Sequence, residues 1–207
     1  MIVKQMSLGE LGTNCYIVYR HNKALIIDPG GEEQKIINFL EKKNLNPQAI
    51  LLTHAHFDHI GGVDALRAHY NIDVYLHEAE AHWLEEPQLN RSTAFMRKEV
   101  ITQPPEYFLN PGTMNLSSFQ FEILHTPGHS PGSVSFVFSD YEFVISGDVI
   151  FKQGIGRTDL PGGSMRELEN SIRKKLYQLT DSYTIYPGHG LQTSIGEEKS
   201  NNPFVPA

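Results

Sequence analysis

The sequence predicts a layered α/β protein. Short runs rich in β-branched or aromatic residues occur in two series, one near the start and one beyond residue 118. Each series is followed by segments with apolar residues at helical spacing, and Gly/Pro breakers separate the pieces. Two strand-rich runs, each followed by helix, imply two sheets back to back with helices outside. A length of 207 residues with 40% hydrophobic and 20% charged residues suits a single domain over 1–207 with a sizeable core.

In order, Ile2–Met6, Thr13–Arg20 and Lys23–Asp28 read as strands separated by Gly9, Gly12 and His21-Asn22, and Asp28-Pro29-Gly30-Gly31 is a breaker. Glu32–Asn44 places Ile36, Ile37, Phe39 and Leu40 among Glu and Lys, an amphipathic helix with an acidic start and a basic end. Ala49–Thr53 is a short buried strand feeding the stretch Thr53–Gly62. Val63–Tyr70 follows as helix, Val74–Leu76 as strand and Glu78–Glu85 as helix. The segment 87–111, with Pro104-Pro105 and no clear strand, reads as an insertion or lid, helical at most over 93–100; a packed helix and loop is the equal alternative. Phe119–Leu124, Ser133–Phe138, Phe143–Ile145 and Thr184–Tyr186 are further strands, and Met165–Leu179 is a helix capped by Ser164.

With 17 Lys plus Arg against 24 Asp plus Glu, the formal charge of −7 gives no global footprint for nucleic acid. One cysteine, Cys15, excludes an internal disulfide and reads as a small buried hydrophobe. The N-terminus lacks a leader pattern, and no apolar stretch nears the roughly 20 residues needed to span a bilayer. The expectation is a soluble, cytoplasmic protein without a membrane partner; the oligomeric state is left open.

Five of ten histidines fall in three Gly/Asp-flanked clusters, and a fourth carries Asp148; each lies at a strand end. In Thr53-His54-Ala55-His56-Phe57-Asp58-His59-Ile60-Gly61-Gly62, His54 and His56 project to one side of an extended loop and can share a cation. Asp58 and His59 lie beyond a turn and suit a second ion. His129 sits between Pro127-Gly128 and Pro131-Gly132; His125 at the strand end reads as structural. Asp148 ends an apolar strand, where a carboxylate is costly unless paired or metal-bound, and its two oxygens can bridge two ions. His189 lies in Tyr186-Pro187-Gly188-His189-Gly190. His54, His56, His129 and Asp148 would hold one ion; Asp58, His59, His189 and the same Asp148 the other. Imidazole and carboxylate suit zinc, and also iron or manganese.

These residues, in this order from Thr13 to His189, resemble the metallo-β-lactamase superfamily. Within it, Thr53–Gly62, Pro127-Gly128-His129-Ser130, Ser146–Phe151 and Gly154-Ile155-Gly156-Arg157-Thr158-Asp159 are similar to the glyoxalase II-type hydrolases, hydroxyacylglutathione hydrolase and its short bacterial relatives. The resemblance implies a four-layer αββα sandwich, with the dimetal site at one edge between the sheets and the ligand set above. The longer glyoxalase II enzymes carry an extra C-terminal helical domain that binds glutathione; this sequence ends at Ala207, and Ser194–Asn202 makes at most a short helix, so the expectation is that the thiol half of the substrate is recognised differently, is a different thiol, or is absent.

The chemistry expected is hydrolysis of a small-molecule thioester, such as S-D-lactoylglutathione or a related acyl-thiol, by a hydroxide shared between two metals. A thiol pKa of about 8.5 lets thiolate leave unprotonated, whereas an amine needs a donor, for which Asp58 is the motif candidate. Arg157 either contacts a substrate carboxylate or pairs structurally with Asp159. Three rivals remain. Persulfide dioxygenases are similar in Gly156-Arg157-Thr158-Asp159 and would hold one iron on His54, His129 and Asp148. A phosphodiesterase or nuclease is disfavoured by the charge. A non-enzymatic metal binder would favour closed, thiolate-rich ligation.

Overall fold

The computed structural model describes residues 1–96 and 99–207, and its internal contacts divide the chain into two compact units, Met1–Leu109 and Asn110–Ala207. The first unit is built on strands β1 (Ile2–Leu8), β2 (Thr13–Arg20), β3 (Lys23–Ile27), β4 (Asn46–Leu51), β5 (Asp73–Leu76) and β6 (Tyr107–Phe108), with helices α1 (Glu33–Lys42), α2 (Phe57–Ile60), α3 (Val63–Tyr70) and α4 (Ser92–Phe95). The six strands form one sheet in sequence order. β1, β2 and β3 are antiparallel neighbours, and β3 to β6 run parallel. The parallel pairs need crossovers, which α1 and α3 supply. Their apolar stripes, Ile36, Ile37 and Leu40 on α1 and Val63 and Leu66 on α3, pack on Ile17, Ile26, Ile50 and Val74. Each fully buried Ile or Leu contributes about 1.5–3 kcal/mol. β2 and β3 read as continuous apolar runs because both of their faces are buried.

The second unit carries β7 (Gly112–Leu116), β8 (Phe119–His125), β9 (Val134–Phe138), β10 (Phe143–Gly147), β11 (Ile150–Phe151), β12 (Gly154–Ile155), β13 (Thr184–Pro187) and β14 (Thr193–Ser194), with α5 (Met165–Lys174) and α6 (Ile195–Asn201). Its main sheet has the order β14-β13-β10-β9-β8-β7, and β11-β12 form a separate hairpin. β10 and β13 are parallel; the other pairs are antiparallel. Leu168 and Ile172 of α5 and Ile195 of α6 cover Val137, Val144 and Ile185. Ser164 caps α5 as expected, its hydroxyl accepting from Glu167 N at 3.3 Å.

Several elements differ from the sequence reading. The helix expected through Leu179 stops at Lys174, where Lys175 turns aside and its ammonium binds the His125 carbonyl; a 3-10 turn at Leu176–Gln178 then keeps Leu176 buried. Glu78–Leu84 is a 3-10 helix, started by His77 Nδ1 accepting from Ala79 N at 3.2 Å. β6 and β7 were not anticipated. The β7–β8 hairpin turns on Ser117-Ser118, with Ser117 left-handed at φ 55°, rather than on the Asn-Gly that usually signals such a turn. Most of segment 87–111 is tied into the first unit: buried Asn90 donates to the carbonyls of Trp83 and Val100, and Leu109 N to that of Leu76. The helix expected over 93–100 is confined to α4, and residues 97–98 lie outside those described. Among the described residues, no helix is long and apolar enough to cross a membrane.

Burial first, then the Glu198 carboxylate, pushes the Tyr177 hydroxyl from 10.0 up to about 12, against a smaller opposing effect of Arg173. A pKa raised in the folded state gives stability that is present below the unfolded value and lost as pH rises through the folded one. Tyr70, Tyr75 and Tyr186 are raised in the same direction. The urea midpoint should therefore fall between pH 10 and 12, and less steeply in Tyr177→Phe; equal slopes would contradict the assignment.

Candidate metal centre

In the first unit, the chain leaves buried β4 through Leu52 and Thr53, runs extended through His54 and His56, and turns into α2 at Phe57. Asp28, just after β3, organises this stretch. It is buried and left-handed at φ 51°. Its Oδ1 accepts from Thr53 N at 2.7 Å, and its Oδ2 accepts from Thr53 Oγ1 at 2.6 Å and from His59 Nδ1 at 3.0 Å. Because the Thr53 hydroxyl spends its one proton on Asp28, its 3.1 Å contact with His54 Nδ1 must be donated by the imidazole. Both His54 and His59 therefore carry hydrogen on Nδ1 and present the lone pair of Nε2. Ala55 N between the ligands donates to buried Glu80 at 2.6 Å. The His54 ring centroid lies 4.8 Å from that of His56 and 4.1 Å from that of His59. Thr13 Oγ1 donates to Asp58 Oδ2 at 2.7 Å, and His59 Nε2 is 3.6 Å from the same oxygen.

In the second unit, β10 and β13 are parallel neighbours, so Asp148 and His189 emerge at the same end of the sheet. Gly188 N donates to Gly147 O at 2.8 Å and ties the two exits together. His129 Nδ1 donates to the Arg157 carbonyl at 2.9 Å, which leaves its Nε2 as the lone-pair nitrogen. Asp148 Oδ2 faces His129 Nε2 at 3.6 Å and His189 Nε2 at 3.5 Å.

The residues fit divalent cations. Three histidines have their Nδ1 hydrogens anchored by a hydroxyl, a carboxylate or a carbonyl, the usual support of a metal-bound imidazole. The nitrogen-to-carboxylate spacings of 3.5–3.6 Å exceed good hydrogen bonds. Two ligand atoms about 2.0–2.1 Å from one tetrahedral zinc would lie roughly 3.3 Å apart, close to these values.

The family model for the metallo-beta-lactamase superfamily matches residues 8–189. The chain belongs to the metallo-β-lactamase superfamily. A probable metallo-hydrolase, YqgX of Bacillus subtilis, is 45% identical over 203 residues, covering 98% of this chain and 96% of that protein. Hydroxyacylglutathione hydrolase GloC of Haemophilus influenzae is 38% identical over 195 residues, covering 93% and 92%. Among solved structures, BLEG-1 B3 metallo-beta-lactamase superposes with a TM-score of 0.97 at 45% identity, covering 100% of both chains. TTHA1623 in a di-iron-bound form gives 0.87 at 37%, covering 98% of this chain and 100% of that one. This metallo-β-lactamase fold, with its mixed sheets and helices, is that of a metal-dependent enzyme of the metallo-hydrolase type.

The first unit brings His54, His56, Asp58 and His59 together, and the second brings His129, Asp148 and His189 together. Arg157 binds Asp159 through Nε at 2.8 Å and Nη2 at 2.7 Å, and that hydrogen bond holds the Asp159 carboxyl down at about 2. Arg157 also offers its carbonyl to His129 Nδ1. His125 Nε2 bonds the Pro131 carbonyl at 2.8 Å, a structural role. Cys15 is fully buried, and burial pushes its thiol up. Sequence reasoning missed Asp28, Glu80 and Thr13. Asp28 was findable, since it ends an apolar strand as Asp148 does.

Backbone packing leaves no room beside the ligands. A Cβ on Gly156 would lie 1.9 Å from the Asp148 carbonyl oxygen and 3.2 Å from His129 Cβ. Gly156→Ala should displace the Asp148 turn, with a stability loss of about 1–3 kcal/mol and reduced metal content. Wild-type metal content with unchanged thermal stability would contradict the tight contact.

Proposed function

We propose that the seven side chains hold two divalent cations and that the enzyme hydrolyses a small-molecule thioester. The observation that carries this reading is Asp148 Oδ2, which faces two imidazole nitrogens at cation-sharing distances, while the Asp58–His59 pair repeats the spacing. His54, His56, His129 and Asp148 serve one ion; Asp58, His59, His189 and Asp148 serve the other. Zinc suits this nitrogen and oxygen set, with iron or manganese as alternatives; the likeness to a di-iron protein keeps iron in view.

When bound, such cations bring a coordinated water toward neutral pKa and polarise the carbonyl under attack. The chain's own part is to hold donors still. Asp28 fixes His59 directly and His54 through Thr53, and Thr13 orients Asp58. With all five motif histidines engaged as ligands, none serves as general base. Asp58 is the carboxyl available to pass a proton to a basic leaving group. A thiolate needs no such proton, since its conjugate acid has a pKa of about 8.5, so a thioester asks least of this residue set. The likeness to GloC supports the same substrate class. We place the enzyme in the cytoplasm, acting on a free small molecule rather than on nucleic acid or membrane.

Elemental analysis beside an S-D-lactoylglutathione hydrolysis assay tests the reading. Two metals per chain with thioester turnover are expected. One iron per chain with oxygen uptake on a persulfide would overturn it. A second reading, β-lactam hydrolysis, is favoured by the 45% identity to BLEG-1; faster turnover of a β-lactam than of any acyl-thiol would establish it instead.

A further inference from the structure

The second unit contains a buried carboxylate outside the ligand set. Glu198 on α6 is fully buried. Its Oε1 accepts from Thr193 Oγ1 at 2.6 Å. Its Oε2 accepts from Gln153 N and Asn202 Nδ2, both at 2.9 Å. Asn202, also buried, donates further to the Gly154 carbonyl at 3.0 Å, so both residues grip the tip of the β11–β12 hairpin. That tip holds Gln153 left-handed at φ 57°, a conformation a non-glycine residue keeps only when its surroundings enforce it.

Both attachments lead to metal-ligand residues. From β12 the chain enters Gly156, packed on the Asp148 carbonyl, and Arg157, whose carbonyl fixes the His129 tautomer. Thr193 opens β14, which pairs with β13 at Ile185, and the loop between these strands bears His189. We propose that Glu198 is a positioning residue: one buried carboxylate that clamps the hairpin supporting His129 and Asp148 to the strand closing the His189 loop. The inference rests on the dimetal reading above, but the clamp itself is visible in metal-free protein.

The test compares Glu198→Ala, Glu198→Gln and Thr193→Val. Imidazole NMR of metal-free protein reads the His129 Nδ1 proton, and equilibrium dialysis with Zn(II) alone reads affinity. Glu198→Ala should lose the slowly exchanging Nδ1 proton signal and weaken zinc binding about 10–100-fold, the scale seen when support of a ligand is removed. Glu198→Gln should restore both, because its amide oxygen can accept from Gln153 and Asn202 while its NH2 faces the Thr193 hydroxyl. A lowered melting temperature with unchanged NMR and zinc affinity in Glu198→Ala would overturn the clamp. If that variant fails to fold by circular dichroism, Thr193→Val decides. It should weaken zinc binding several-fold and leave the His129 signal intact; wild-type affinity would refute the proposal. Absence of zinc binding by the wild-type chain would instead strike the dimetal reading, and loss of the His129 signal in Glu198→Ala would still support the clamp.

Discussion

Replacement of Asp148 by alanine is expected to take the metal content from two ions per chain toward none and to cut turnover by about 10²–10³-fold or more, the scale of losing a principal electrostatic contribution. One oxygen of this carboxylate faces both His129 and His189. Its removal takes a negative charge from both proposed ligand sets at once and leaves the His129 and His189 nitrogens without the carboxylate they face. Asp148→Asn keeps an oxygen but loses the charge, so it should retain part of the metal. Elemental analysis after exhaustive dialysis distinguishes these outcomes. Full zinc retention by Asp148→Ala would show that the carboxylate does not bridge.

Asp28→Ala should have the largest effect on stability. Three donors converge on this carboxylate, and at least Thr53 N, Thr53 Oγ1 and His59 Nδ1 would lose their acceptor in a buried setting. Leaving buried donors unsatisfied costs about 1–3 kcal/mol each, so a total loss of about 3–5 kcal/mol is expected after partial rearrangement. The left-handed backbone at φ 51° adds to the cost, because Asp and Asn tolerate it better than Ala. Asp28→Asn should therefore be the milder change. Urea unfolding checks the ranking, and a loss below about 1 kcal/mol in Asp28→Ala would contradict the accounting. Metal affinity should fall too, since His59 and His54 both depend on Asp28 for their tautomers.

The histidine and aspartate clusters were legible as candidates because each combines a chemically expensive residue with a strand end and a glycine turn. The strands were legible where β-branched residues run together, as in Thr13–Arg20 and Val134–Phe138. β6 escaped because it is only two residues long, Tyr107–Phe108, and β7 because an exposed edge strand carries no apolar run: Gly112, Thr113 and Asn115 are exposed. The parallel pairing of β10 with β13, which places Asp148 beside His189, joins Phe143 to Thr184 and Ile145 to Tyr186, far apart in sequence, and no local pattern encodes it. Supporting residues such as Glu80 and Glu198 were hidden for a related reason. A glutamate on a helix reads as solvated until its partners, Ala55 N or Gln153 N, are known from the tertiary structure.

The close backbone approach at Gly30, where a Cβ would fall 1.7 Å from the Asp58 carbonyl oxygen, has a practical corollary for laboratory evolution. A randomised library that includes Gly30 or Gly156 would mostly sample broken scaffolds. Diversity directed instead at exposed Leu11, which lines the same cavity of the first unit as Asp58, leaves the frame that holds the donors untouched.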